Sequence, residues 1–408
     1  MLRMLRMSTR MVKPLMASIL SATATVSVWA QAEDTFKFNA AYSLMSDSNL
    51  FRLPASTNFN AVLGKSSAEE KISTTSIGFS INKAYSLQRL EFDASVVNYA
   101  YQNFSPLSFV ATNYAAAWRW SLTPRLAGNI TSNRKETQNS FADSVGASQQ
   151  NLRTDTSARL DAVYDLGGAW RVLSGLSNSG QLNQLPSVAQ GDFTAQTADL
   201  ALRYQMGSGS SLTYTVKNAT GKYVNRALNA AALLDDGYTQ IDNELKARWV
   251  FDGHFSADLS AAQVARTHPH FAQRDYSGLN TSANLTWSIT GKSALTAGWS
   301  RDIASYQTTT ANYSQTNRLT LGPIWQISPK ATARVSYAAA MIDYLNSPTG
   351  LVGLPRSDNT RDTTLSFDWQ PHPKITVSAA LQNATRASTA ANLDFDSNML
   401  TLMAQVVY

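Results

Sequence analysis

The sequence predicts an all-β fold, an antiparallel transmembrane β-barrel of about 18 strands, in the range of about 16 to 18 at which a barrel encloses an aqueous channel. Three observations predict it. Apolar and polar residues alternate in one segment after another, the connections alternate between short turns and long polar stretches, and an aromatic residue stands just before most of the short turns. Short periplasmic turns at one rim and long extracellular loops at the other is the asymmetry of an outer-membrane barrel.

The alternation is clearest in residues 152–166. There Leu160, Ala162, Tyr164 and Leu166 fall on one face and Arg153, Asp155, Arg159 and Asp161 on the other. Residues 240–251 repeat it, with Ile241, Leu245 and Trp249 opposite Asp242, Glu244, Lys246 and Arg248. Strands of soluble sheets run to about 5 to 6 residues, whereas a tilted membrane strand needs about 9 to 11. In order, the first half of the chain predicts strand cores at 36–44, 73–81, 90–99, 112–122, 126–132, 152–166, 170–176, 194–206 and 212–218. The second half predicts 240–251, 255–265, 279–289, 295–299, 313–327, 331–341, 361–369, 375–381 and 399–408.

Between them, the tight connections are rich in the residues that hairpins require, as in Thr123-Pro124-Arg125, Gly167-Gly168, Asp252-Gly253-His254 and Ser328-Pro329-Lys330. The intervening connections are longer and polar, notably 46–70, 133–150, 177–191, 219–237 and 342–359. Phe79, Trp120, Tyr164, Tyr204, Trp249, Trp287, Trp325, Trp369 and Tyr408 all stand at the turn end of their strands. A general preference of aromatics for strands would scatter them along the segments, so the clustering predicts an interfacial aromatic girdle.

In the last segment Leu400, Leu402, Ala404, Val406 and Tyr408 share one face. Tyr408 is expected to serve the barrel-assembly machinery as a recognition signal and to end the strand that closes against residues 36–44. At the other end, Arg3, Arg6, Arg10 and Lys13 precede an uncharged run that leads to Ala30-Gln31-Ala32, the layout of a cleaved signal peptide. This predicts a leader at 1–32 and a barrel at 33–408. Much of the +6 formal charge then lies in the leader, and nothing points to nucleic acid. The chain has no cysteine, which excludes disulfides and thiolate metal sites.

If the apolar face meets lipid, the opposite face lines the lumen. Arg153, Asp155, Arg159, Asp161, Arg203 and Arg248 are the lumen-lining candidates, in a wall of mixed sign that also carries Asp199, Lys246, Asp258, Arg266, Arg318, Arg334, Asp362 and Asp368. Arg274 and Asp275 are candidates for the extracellular mouth. No G-x-S-x-G, H-E-x-x-H or phosphate-binding Gly loop is present, so no catalytic residue, metal ligand or cofactor is expected. His268-Pro269-His270 falls in an outer loop, where solvated histidines are the expectation. Asp47-Ser48-Asn49 and Asp396-Ser397-Asn398 should meet at the outer rim as Asx-type turns.

Asp47 to Pro54, Asp235-Asp236-Gly237-Tyr238, Arg266-Thr267-His268, Gln273 to Gly278 and Leu321-Gly322-Pro323-Ile324-Trp325 together resemble the EpsL-type exopolysaccharide-biosynthesis outer-membrane proteins. That resemblance implies passage of a polysaccharide to the cell surface, with polysaccharide or oligosaccharide as cargo and periplasmic export components as partners. It carries over no site residues. The alternatives are a diffusion porin for small polar solutes, and a surface adhesin or receptor acting through its loops. All three are non-enzymatic and set in outer-membrane lipid.

Overall fold

Eighteen antiparallel strands form one closed sheet in a computed structural model that describes residues 35–142, 149–306, 308, 310–347 and 356–408. The expected leader lies outside these residues. In chain order the strands are β1 (Phe36–Asp47), β2 (Glu70–Tyr85), β3 (Gln88–Tyr101), β4 (Phe109–Thr123), β5 (Leu126–Gln138), β6 (Leu152–Gly167), β7 (Trp170–Asn183), β8 (Phe193–Gln205) and β9 (Ser211–Tyr223). They continue as β10 (Gly237–Val250), β11 (Phe255–Thr267), β12 (Tyr276–Ser288), β13 (Ser293–Ser305), β14 (Tyr313–Ser328), β15 (Ala331–Leu345), β16 (Ser357–His372), β17 (Ile375–Ser388) and β18 (Phe395–Val407). One short helix, α1 (Phe59–Leu63), interrupts the β1–β2 loop.

Each strand pairs with its neighbours in sequence, and β1 pairs with β18, from Asn39 opposite Val407 to Asp47 opposite Met399. Below that register Tyr408 and Phe38 exchange both backbone hydrogen bonds at 2.8 Å. Closure leaves no strand edge in lipid, where each unpaired backbone group would cost several kcal/mol. No helix of the described residues is long and apolar enough to cross a membrane; the strands make the crossing.

The outer face is greasy throughout. Phe38, Tyr42 and Leu44 on β1, Leu160 and Tyr164 on β6, and Leu365, Phe367 and Trp369 on β16 are exposed, while the residues between them point inward. Every aromatic of the expected girdle has the outward parity, and Trp170 and Tyr204 pack edge to face at 5.0 Å on neighbouring strands.

The strands run further toward the outer rim than the hydropathy pattern predicts. β5 continues to Gln138, β7 to Asn183, β9 to Tyr223 and β15 to Leu345, so the loops after them are shorter than expected. Outward positions become polar above the lipid, for example Arg134 and Glu136, and the alternation fades although the hydrogen-bonded ladder continues.

Candidate functional site: the lumen and its mouth

Arg153, Asp155, Arg159 and Asp161 on β6, Arg203 on β8 and Arg248 on β10 all sit on the inward parity, opposite outward Leu160, Leu202 and Trp249. Most are partnered within the wall. Arg153 meets Asp155 at 3.0 Å, Arg248 meets Asp258 at 3.2 Å, and Lys217 and Lys246 share Glu244 at 2.7 and 3.1 Å. Arg159 passes over Gly175 on β7 and holds Asp199 on β8 through two bonds of 2.6 and 3.0 Å. A Cβ on Gly175 would stand 2.1 Å from the Arg159 guanidinium, so only glycine leaves this slot open.

Inward charges sort by register row, which spacing along single strands does not reveal. Arg171 on β7 lies directly opposite Arg203 on β8, followed in the same row by Thr213 on β9 and Lys246 on β10. The row continues through Ser260, Ser282 and Ser300 to Arg318, then through Ala340 and Thr360 to Arg386 on β17. Because the strands tilt, it climbs from near the periplasmic turns to the outer rim. Two rows above it on β6 to β10 lies a more acidic one, Asp161, Gly175, Asp199, Lys217 and Asp242. Like charges directly opposite each other are unfavourable, and Asp165 on β6, opposite Arg171 in the same row and 3.5 Å from it, offsets part of that cost.

The β1–β2 loop folds inward. Leu50, Phe51 and Leu53 pack against Ile72, Val97, Tyr101, Phe109 and Ala111, which occupy the inward parity at the upper ends of β2 to β4. Phe51 meets Phe104 at 4.7 Å and Phe141 at 4.8 Å, both edge on. Phe141 belongs to the loop after β5, whose Ala142 carbonyl accepts from Arg386 on β17. β5 and β17 are separated around the wall by β4, β3, β2, β1 and β18, so these two loops bridge a chord of the mouth. Inward apolar residues at the tops of β2 to β4 were the sequence signal for this cap.

Arg52 anchors the cap to the seam. Buried among Asp47 at 2.8 Å, Ser397 Oγ at 3.0 Å and Met399 Sδ at 3.4 Å, it joins the two Asp-Ser-Asn stretches at the rim. Of these only Asp47-Ser48-Asn49 is a turn; Asp396-Ser397-Asn398 lies within β18 because it pairs with β17. Asp47 accepts from Asn49 N–H at 2.9 Å, an Asx turn, and from Ser397 Oγ at 2.6 Å across the seam. Glu70 caps the next loop by accepting from the backbone N–H of Gln102, Asn103 and Phe104 at 2.7 to 2.9 Å.

Across the mouth, Arg274 is a tie between loops. It is fully buried and donates to the carbonyls of Ala232, Leu233 and Thr308 and to Asn312 Oδ1, tying the loops after β9, β11 and β13 together. Asp275 accepts from His268 N–H at 2.7 Å and lies 3.2 Å from its ring. The expectation of solvated histidines is corrected for His268, whose side chain is buried. Burial pushes the His268 imidazole below its usual range despite Asp275. His270 is exposed, and its hydrogen bond to Asp235 raises it. Burial alone would raise the Asp235 carboxyl, but the His270 ring and the backbone N–H of His270 and Gly237 hold it at about 2. Ligand atoms of Asp235, Asp236 and His270 come within 4.8 Å of one another. The oxygens of Asp235 are occupied by N–H donors, so the geometry serves as a loop clamp.

No protein-family model matches the chain, and no curated protein matches it in sequence. Solved structures do match. The outer membrane protein OpdK of Pseudomonas aeruginosa is 13% identical with a TM-score of 0.52, covering 91% of this chain and 99% of its own. OccK2 (OpdF) of the same organism, solved with glucuronate, is 12% identical at 0.51, covering 91% and 98%. OccK9 (OpdG), also from that organism, is 13% identical at 0.52, covering 91% and 98%.

These matches overturn the resemblance to EpsL-type proteins and leave the polysaccharide-export reading that rested on it without support. The motifs that carried it are rim and wall chemistry. Asp47 to Pro54 is an Asx turn entering an inward loop, Asp235 is a buried cap, and Leu321 to Trp325 is a lipid-facing strand. The chain has the closed 18-strand barrel fold of these outer-membrane proteins.

Proposed function

We propose that the barrel is a passive diffusion channel for small polar solutes, with carboxylates favoured. The observation that carries this reading is the climbing lumenal row of Arg171, Arg203, Lys246 and Arg318, interleaved with Thr213, Ser260, Ser282 and Ser300, below Arg386, which is buried in the cap. A carboxylate passing along it exchanges one cation for the next while hydroxyls replace part of its water. Arg318 also faces Asp302 and Asp362, and Lys246 faces Glu244, which keeps each stop weak enough to leave. OpdK has been solved with vanillate and OccK2 with glucuronate, both carboxylates, which supports the same solute class. Movement down a gradient needs no cofactor and no catalytic group.

Planar-bilayer recording tests it. The reversal potential in a KCl gradient should show anion preference at about 0.1 M salt and lose it toward about 1 M, as the screening length falls from about 10 Å to about 3 Å. Arg171→Ala with Arg203→Ala should move the preference toward cations. Absence of conductance, or selectivity untouched by the double variant, would sink the reading.

A further inference from the structure

Two depressions open on the outer, lipid-facing wall, and both have the same make-up. The first, about 340 Å³, lies over Ala339 on β15, walled by Trp299, Leu319, Tyr337 and Met341, with Asn317, Asn359 and Arg361 also on its lining. The second, about 370 Å³, straddles the seam, with Leu44, Ala100, Leu400 and Leu402 as its apolar lining and Ser46, Gln102 and Lys71 as its polar one. Each therefore joins an apolar hollow to one outward-facing cation and hydrogen-bonding side chains, Arg318 on the first lining having the inward parity.

The two cations share a level. Arg361 stands eight residues above the girdle residue Trp369 on β16, and Lys71 stands eight above Phe79 on β2. At about 3.3 Å per residue and a tilt of about 40°, that climb is roughly 20 Å against an apolar band of about 25 Å, which places both near the headgroups of the outer leaflet. Both are exposed, and among the described residues neither side chain has a hydrogen bond or ion pair. Nearby Arg301 is held by Gln315 at 2.6 Å, and Asp343 accepts from Ser357 Oγ. An outward cation beside hydrocarbon is costly unless it reaches the interface or meets an anion.

We propose that each depression binds a phosphorylated glycolipid of the outer leaflet, an acyl chain filling the hollow and a phosphate resting on Arg361 or Lys71. The amides of Asn317, Asn359 and Gln102 stand ready for sugar hydroxyls, which a glycerol phospholipid lacks in that number. An apolar hollow facing the bilayer must be filled by something apolar, and the cation above it selects the lipid that brings a phosphate.

Native mass spectrometry of the full barrel in detergent tests this, with diphosphorylated lipid A, its dephosphorylated form and phosphatidylglycerol as probes. Two retained lipid A molecules are expected, one lost in Arg361→Ala, one in Lys71→Ala and both in the double variant. Ala339→Phe fills the first hollow, leaves both cations in place and should also lose one lipid, so it serves if a charge variant fails to assemble. Equal retention by the double variant, or of the dephosphorylated form, or of phosphatidylglycerol, would overturn the proposal by reducing it to ordinary annular lipid. Channel selectivity should be unchanged in all these variants, so failure here is separable from failure of the diffusion reading.

Discussion

Arg159 reaches Asp199 two strands away by lying across the bare backbone of Gly175, with bonds of 2.6 and 3.0 Å. The pair is partly solvated, so its own contribution to stability is modest, about 0.5 to 1 kcal/mol. Its larger effect is on lumen shape, because it keeps a long cationic side chain flat on the wall. Gly175→Ala should drive Arg159 into the bore and lower single-channel conductance. Adding Arg159→Ala to that variant should restore it. An unchanged conductance in Gly175→Ala would show that the guanidinium finds another flat path.

Arg274 is the tie among three extracellular loops. In Arg274→Ala the carbonyls of Ala232, Leu233 and Thr308 lose their donor. Each costs roughly 1 to 3 kcal/mol unless water replaces it. Limited proteolysis should then cut within 224–236 or 306–312 while the barrel stays folded. Arg274→Lys should rescue only partly, since one ammonium cannot reproduce the planar fork.

His268 and His270 should titrate in opposite directions from an ordinary imidazole, His268 lower and His270 higher, as read by NMR of the two ring signals. His270 is raised by its bond to Asp235, so the stability it lends the clamp is present below its unfolded value and is lost as pH rises through its raised folded value. Asp235 is depressed to about 2, so its share is present above the unfolded value and is lost only as pH falls through about 2. Proteolytic protection of the β9–β10 loop should therefore weaken on the alkaline side of the His270 titration. Asp235→Asn should bring His270 back toward the usual range.

Tyr408 pairs with Phe38 through two backbone bonds, its ring lies 3.9 Å from Lys374 Nζ, and its outward face is exposed. Deleting it should reduce the amount of heat-modifiable barrel in the outer membrane without altering the selectivity of whatever assembles. Normal barrel levels in the deletion would contradict the assembly role proposed for it.

Strand identity, face and girdle were legible in the sequence because each depends on spacing of two along one strand and on a turn at its end. The inward placement of Arg153, Asp155, Arg159, Asp161, Arg203 and Arg248 follows from parity alone. The upper strand ends were not legible, because the outward face turns polar once it leaves lipid and the pattern that marks a strand disappears there.

What only the tertiary structure decided is which residues of different strands share a row or a loop contact. Arg171 and Arg203 are 32 positions apart and become neighbours through register, a property of pairing and tilt that no single segment carries. Arg274 is a candidate for the mouth because it is charged and lies in a loop, and converging carbonyls from two other loops bury it there. By itself the sequence determined that this chain closes into a membrane barrel, since lipid on one face and water on the other impose a strict period of two. Register and loop packing, which join distant residues, decided where the charges line up and where the mouth is capped.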